Sequence, residues 1–299
     1  MTSPTRSPLP TSPTGPTGPT FAIAFGGGGA RGLAHIHVVQ ALEELGISPT
    51  AISGTSIGSI VGAGLASGMN AQNMRDYAIE TFADPTEVLS RFWRMRPTKL
   101  GEVFNPSRLT LGNINPVKAI HAFAPAMIPH DFGELSIPLQ VVATDFYGQK
   151  EVVLSQGNLT EALAASAALP AIFKPVHRDG ATLIDGGIVN AVPYELLFGK
   201  ADIVVGIDVV GGPKKSVKDV PTRIEALSGA SQLMMQATTR LKRKMKPPHV
   251  FIEPPVSGIA VLDFMKARDI LRDTAPTVEL TKRAIDKALA DGKTETVLG

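Results

Sequence analysis

The sequence contains no cysteine. That excludes disulfides, thiolate metal sites and thiol nucleophiles, and it fits a reducing compartment. There is also no run near the roughly 20 consecutive apolar residues that a membrane-crossing helix requires. The densest apolar stretch, Ala162 to Phe173, is broken by Ser166 and Pro170. Excess charge of one sign is missing too: the formal net charge is +2, which argues against bulk nucleic-acid binding. The charge is nevertheless uneven, because Gly211 to Lys246 holds nine Lys/Arg against two acids, +7 there and −5 over the rest. Met1 to Thr20 lacks the apolar core of a signal peptide; it is a Ser/Thr/Pro/Gly string with one charge, Arg6. Its Pro-Thr-Gly repeats cannot bury enough surface to offset chain entropy, so a disordered tail is expected over residues 1–20. The remaining chain, 21–299, has apolar content for a large core and is expected to form one domain. The expected location is the cytoplasm, with the inner membrane surface open as a site of peripheral contact.

What is present begins with an alternation of elements. Phe21 to Phe25 is a short apolar run with the character of a buried strand, and Gly26 to Gly29 follow it at once. From Arg31 to Leu45, Ala34, Val38, Ala41, Leu42 and Leu45 fall on one helical stripe, and Gly46 stops it. A second strand, Thr50 to Ser53, leads into a helix from Ile57 to about Ser67. Helices are further expected over Asn70 to Phe82, Pro116 to Phe123, Thr160 to Ala168 and Arg223 to Lys246, with another starting at Pro276. Strands are expected at Leu139 to Ala143, Glu151 to Leu154, Thr182 to Ile184, Ile203 to Val209 and Val250 to Ile252. Strands alternating with helices predict a three-layer α/β/α fold around a mostly parallel sheet.

Two glycine motifs carry the chemistry. Gly54-Thr55-Ser56-Ile57-Gly58 is a Gly-x-Ser-x-Gly stretch between strand and helix, the pattern of a nucleophile elbow that presents Ser56 at the tip of a tight bend. Gly27-Gly28-Gly29-Ala30-Arg31-Gly32 also follows a strand and precedes a helix. As a dinucleotide loop it would need an acid near the end of the second strand, where the chain has Ser53-Gly54-Thr55-Ser56 instead, and it has no Gly-Lys-Ser/Thr for a P-loop. The other use of such a loop is an oxyanion hole of backbone N–H groups. A nucleophile elbow some 25 residues later supplies the reaction that makes the oxyanion, so the two motifs explain each other.

A serine hydroxyl needs a base. The Ser, acid, His order of an α/β-hydrolase would draft Asp145 or Asp185 and then His249, but His249 follows Pro247-Pro248 at the start of a strand. His35 and His37 lie within the first helix, and His121, His130 and His177 have no motif around them. Asp185, at a strand end before Gly186 and Gly187, becomes the candidate, and a base at neutral pH would need partial burial to raise its pKa. Arg91-Phe92-Trp93-Arg94-Met95-Arg96 and the Arg240 to Lys246 cluster are candidate membrane contacts.

Taken together, the Gly27 to Gly32 loop, the elbow, Ala165-Ser166-Ala167-Ala168-Leu169-Pro170 and Asp185-Gly186-Gly187 resemble, in this order and spacing, the bacterial patatin-like phospholipases. The resemblance spans about Phe21 to Val209. It implies a patatin-type fold, lipid acyl hydrolysis, Ser56 as nucleophile, Asp185 as its base in a dyad without histidine, the Gly27 to Gly32 loop as oxyanion hole, and no metal or cofactor. The implied substrate is a lipid or other acyl ester; no nucleic-acid partner is expected. A catalytically silent lipid-binding scaffold of the same fold is disfavoured by the intact Ser56 and Asp185. One departure is His37, where many members carry glycine in a His-Ile-Gly sequence; its expected effect is on helix packing.

Overall fold

The computed structural model describes residues 18–94, 114–212, 220–221 and 223–291. The strands are β1 (Phe21–Phe25), β2 (Ala51–Thr55), β3 (Leu139–Asp145), β4 (Lys150–Leu154), β5 (Val176–Arg178), β6 (Ala181–Asp185), β7 (Ile203–Ile207) and β8 (Val250–Ile252). The helices are α1 (His35–Glu44), α2 (Ile57–Ala66), α3 (Ala71–Phe82), α4 (Pro85–Arg94), α5 (Pro116–Phe123), α6 (Leu159–Ser166), α7 (Arg223–Met245), α8 (Ala267–Asp273) and α9 (Thr277–Ala290). The strands form one sheet in the order β5-β6-β3-β2-β1-β7-β8, with β4 beside β3 off that path. The run β3-β2-β1-β7-β8 is parallel throughout, while β4 and β6 run antiparallel to β3, and β5 to β6.

The period of two along β1 sorts side chains by size. Phe21, Ile23 and Phe25 face a large apolar core shared with α1, α2, α3, α6, α8 and α9, whereas Ala22 and Ala24 face a smaller one. That second face is closed by Val192, Tyr194 and Leu197, with Met235 of α7 packed against them. Small alanines on this side let the segment around Ala191 to Leu197 lie close to the sheet. Helices on one face and this segment with α7 on the other make three layers.

Most expected elements occur, with three corrections. The helix expected from Arg31 starts at His35, because Gly29 to Ala34 wind as a tighter 3-10 turn. Thr20 belongs to the fold rather than to a loose tail: its N–H and hydroxyl both donate to Asp202, at 2.8 and 2.7 Å. The expected tail at 1–17 lies outside the described residues. Strand β5 and helices α4 and α8 lay in stretches where proline or short length hid the pattern. No helix among the described residues is long and apolar enough to cross a membrane.

The glycines of α2 differ in what their missing side chains allow. A Cβ at Gly58 would run into the carbonyls of Phe25 and Gly26, while one at Gly64 would meet the flexible ends of Met69 and Met74 at 3.3 Å. In urea unfolding we expect Gly58→Ala to lose about 2 kcal/mol or more through that clash. Gly64→Ala is expected to stay within about 1 kcal/mol of wild type, its gain in helix propensity offsetting a small rearrangement.

Candidate active site

Strand register brings the two key side chains level. Thr55 of β2 pairs with Val142 of β3, so Ser56 lies one step beyond, level with Ala143; β4 occupies the opposite edge of β3, and on the same edge as β2, just past its end, Ala143 pairs with Asp185 of β6. The chain bends sharply there, Ser56 taking φ 53° and ψ −125° before α2 begins. A non-glycine residue in this region carries about 1–3 kcal/mol of strain and persists only where its surroundings hold it. They do so from several directions. Ser56 N–H donates to Ser166 Oγ at 2.8 Å, Ser166 donates onward to Val142 O at 2.6 Å, and Ser59 Oγ donates to Ser56 O at 2.6 Å.

Ser56 Oγ donates to Asp185 Oδ2 at 2.7 Å. The other carboxyl oxygen, Oδ1, accepts the N–H of Gly187 at 2.8 Å, and Asp185's own N–H donates to Ala168 O at 3.1 Å. Asp185 is 4% exposed. Burial pushes its pKa up to about 6, with the Ser56 hydroxyl and Gly187 N–H pulling partly the other way. Gly186 is fixed by proximity, since a Cβ there would collide with the Val142 carbonyl. The block Ala165 to Pro170 therefore reaches both partners, through Ser166 to the serine and through Ala168 to the aspartate. The motif was visible in the sequence, but the part played by Ser166 was not.

The Gly-rich loop crosses beside the elbow, where a Cβ at Gly27 would stand 3.4 Å from Ser56 Cβ. Its six residues are not equivalent. Gly27 N–H donates to Ala191 O at 2.9 Å and Ala30 N–H to Val261 O at 2.8 Å. Gly28 and Gly29 N–H have no such acceptor among the described residues. Arg31 is 2% exposed, and its guanidinium is spent on carbonyls: Ile259 at 2.7 Å, Gly212 at 3.2 Å and Val210. Gly32 makes room for Ile57 at the first turn of α2.

The histidines are engaged elsewhere. His35 is fully buried and meets Gly26 O at 2.8 Å through Nε2, which must carry the proton because a carbonyl can only accept. Burial pushes its pKa down to about 4, so it is neutral. His37 likewise meets Leu271 O at 2.8 Å, joining α1 to α8, and His249 Nδ1 accepts the N–H of Val204 at 2.9 Å. None of the six hydrogen-bonds Ser56 or Asp185 among the described residues.

Several side chains of the two candidate membrane clusters have partners within the fold. Lys242 turns inward to Asn190, Val192 and Glu195, each at 2.6 Å. Arg243 pairs with Glu253 at 3.1 Å and lies over the Phe251 ring, and Lys246 lies over the Phe198 ring. Arg91 is held by Glu87 and by Ala122 O. The side chains of Phe92, Trp93 and Arg94, and residues Met95 and Arg96, lie outside the described residues. An apolar cavity of about 250 Å³ is lined by Phe146, Tyr147, Pro170, Phe173, Thr182 and Ile184. Thr182 and Ile184 alternate with Asp185 along β6, so this cavity opens on the face opposite the carboxyl.

The patatin-like phospholipase family model matches residues 23–198, more than half of the chain. The chain belongs to the patatin-like phospholipase family. An uncharacterized NTE family protein of Mycobacterium tuberculosis is 32% identical over 206 residues, covering 69% of this chain and 53% of the relative. Human patatin-like phospholipase domain-containing protein 6 is 32% identical over 216 residues, 70% of this chain and 14% of that protein. The chain thus spans about half the length of the mycobacterial relative and a smaller share of the human one. Among solved structures, human GIVD cytosolic phospholipase A2 in complex with methyl gamma-linolenyl fluorophosphonate has the same fold. Its TM-score is 0.52 at 12% identity, over 92% of this chain and 59% of that one.

Two outcomes test this geometry. Ser166→Ala would orphan the Ser56 N–H and the Val142 carbonyl together, and we expect a loss of about 1–3 kcal/mol in urea unfolding. The Asp185 pKa is raised from 3.8 to about 6 on folding. The folded state therefore holds this proton more tightly, and the group opposes folding increasingly as pH rises through that window, by about 3 kcal/mol once both states are ionised. Asp185→Asn should accordingly raise the melting temperature relative to wild type at pH 8 and give little of that gain at pH 4. An equal change at both pH values would count against a buried, proton-holding carboxyl.

Proposed function

We propose that this protein is a serine-dependent lipid acyl hydrolase of the phospholipase A, lysophospholipase or carboxylesterase type. The observation that carries the reading is the 2.7 Å hydrogen bond from Ser56 to the buried Asp185 carboxyl. Ionised Asp185 takes the Ser56 proton as Oγ attacks the ester carbonyl, forming a tetrahedral intermediate. The Gly28 and Gly29 N–H groups and the N-terminus of α2 stabilise its oxyanion. Collapse expels the alcohol, which receives the proton from Asp185, and leaves acyl-Ser56. Water, deprotonated by Asp185, then releases the fatty acid and restores the serine. Membership of the patatin-like phospholipase family supports a lipid ester as substrate. The acting unit is residues 21–299, working where such lipids are presented.

The tetrahedral geometry makes a fluorophosphonate ester a suitable probe. We expect an adduct on Ser56, absent in Ser56→Ala, reduced about a hundredfold or more in Asp185→Asn and unchanged in His249→Ala. With Asp185 as base and a pKa of about 6, the labelling rate should be half-maximal near that pH and fall about tenfold per unit below it. Loss of labelling in His249→Ala would replace the dyad by a triad.

A further inference from the structure

A segment the sequence motifs do not mark, Asn190 to Pro193, touches every part of the candidate site. Asn190 N–H donates to Gly186 O at 2.9 Å, closing the turn that begins at Asp185. Asn190 O accepts the hydroxyl of Thr55, the residue before the nucleophile, at 2.8 Å. Ala191 O accepts the N–H of Gly27 at 2.9 Å. Pro193 O accepts Ser53 Oγ at 2.8 Å. Ser53 and Thr55 are the polar residues that the period of two places on this face of β2. The strap thus ties the Asp185 turn, the elbow strand and the Gly-rich loop to one another.

What holds the strap comes from α7. Lys242 Nζ donates at 2.6 Å to Asn190 Oδ1, to Val192 O and to Glu195 Oε2, and lies 4.6 Å from the Tyr194 ring centre. Its side chain is 21% exposed. Asn190, 4% exposed, completes its own bonding by donating to Glu151 Oε2 at 2.7 Å and Glu195 Oε1 at 2.6 Å. Without the ammonium, two carboxylates would converge on one amide with no cation between them, and Val192 O would lose this donor. A solvated basic helix end explains none of these contacts.

We infer that Lys242 is a positioning residue, which through Asn190 and Val192 fixes the strap and so sets Ser56, Asp185 and the Gly-rich loop in mutual register. The inference rests on Ser56 and Asp185 being the reacting pair, but the tie itself is measurable without any reaction. Small misplacements of reacting groups are costly, and a displacement of about 1 Å can remove about a hundredfold in rate.

The test uses the full-length chain with Lys242→Met, and Lys244→Met as a control on an exposed position of the same helix. Hydrogen exchange of the peptide covering 185–193 should speed up about tenfold or more in Lys242→Met and stay at the wild-type rate in Lys244→Met. Fluorophosphonate labelling of Ser56 should lose about tenfold or more in its maximal rate, with the concentration for half-saturation changed less than about threefold. A second variant guards against a merely misfolded protein. In Lys242→Cys, 2-bromoethylamine alkylates the one thiol of a chain otherwise free of cysteine; the thiolate displaces bromide and an ammonium of lysine's reach is restored. That product should recover at least about half of the wild-type labelling rate. Unchanged exchange in Lys242→Met overturns the inference whether or not Ser56 reacts. So does an alkylated variant that melts like wild type yet labels as slowly as Lys242→Met. Failure of wild type to label at Ser56, with exchange responding as expected, would instead refute the hydrolase reading and leave the strap standing.

Discussion

The Asp185 carboxyl sits out of water with a hydroxyl and one N–H for company, and the surrounding structure is arranged about holding it there. An unpaired buried carboxylate is costly, and the chain answers with a raised pKa rather than with a counter-charge. A neighbouring lysine or arginine would lower that pKa and weaken the group as a base. Arg31 and Lys242, both turned into the structure, are tied to carbonyls and to Glu195 instead. Its raised pKa comes from dryness, which a close-packed enclosure supplies.

That enclosure depends on backbone approaching backbone. Gly58 lets α2 press against the end of β1, Gly186 lets the aspartate turn press on β3, and Gly28 presses against Val209. Each contact forbids a side chain, and each brings one of the three motifs to the same end of the parallel strands. Ser56 pays for its place in strain, and its backbone is held by Ser166 from one side and Ser59 from the other. His35, neutral, and His37 serve this scaffold by donating to the carbonyls of Gly26 and Leu271.

The basic helix α7 gives a different lesson about charge. A net excess of lysine and arginine in sequence suggests an outward face, but hydrogen-bond geometry decides where each cation goes. Lys242 finds three acceptors and an aromatic ring inside, whereas its neighbour Lys244 remains exposed. Four carbons of side chain suffice to carry an ammonium from a helix surface to the strap beneath it.

The sequence by itself determined the order of most strands and helices, the parallel core of the sheet and the elbow at Ser56, and it made Asp185 a candidate. It could do so because these features are local: a period of two or of 3.6, a glycine where a bend needs one, an acid before two glycines. The start of α1 was misplaced because helical periodicity does not distinguish a 3-10 turn. The tertiary structure alone decided that Ser56 meets Asp185, that Ser166 holds the Ser56 N–H, and that Asn190 to Val192 and Lys242 join the motifs. Those contacts join residues far apart in the chain, Ser56 to Ser166 and Thr55 to Asn190 among them. They arise from strand register and close approach, which no short stretch of sequence encodes.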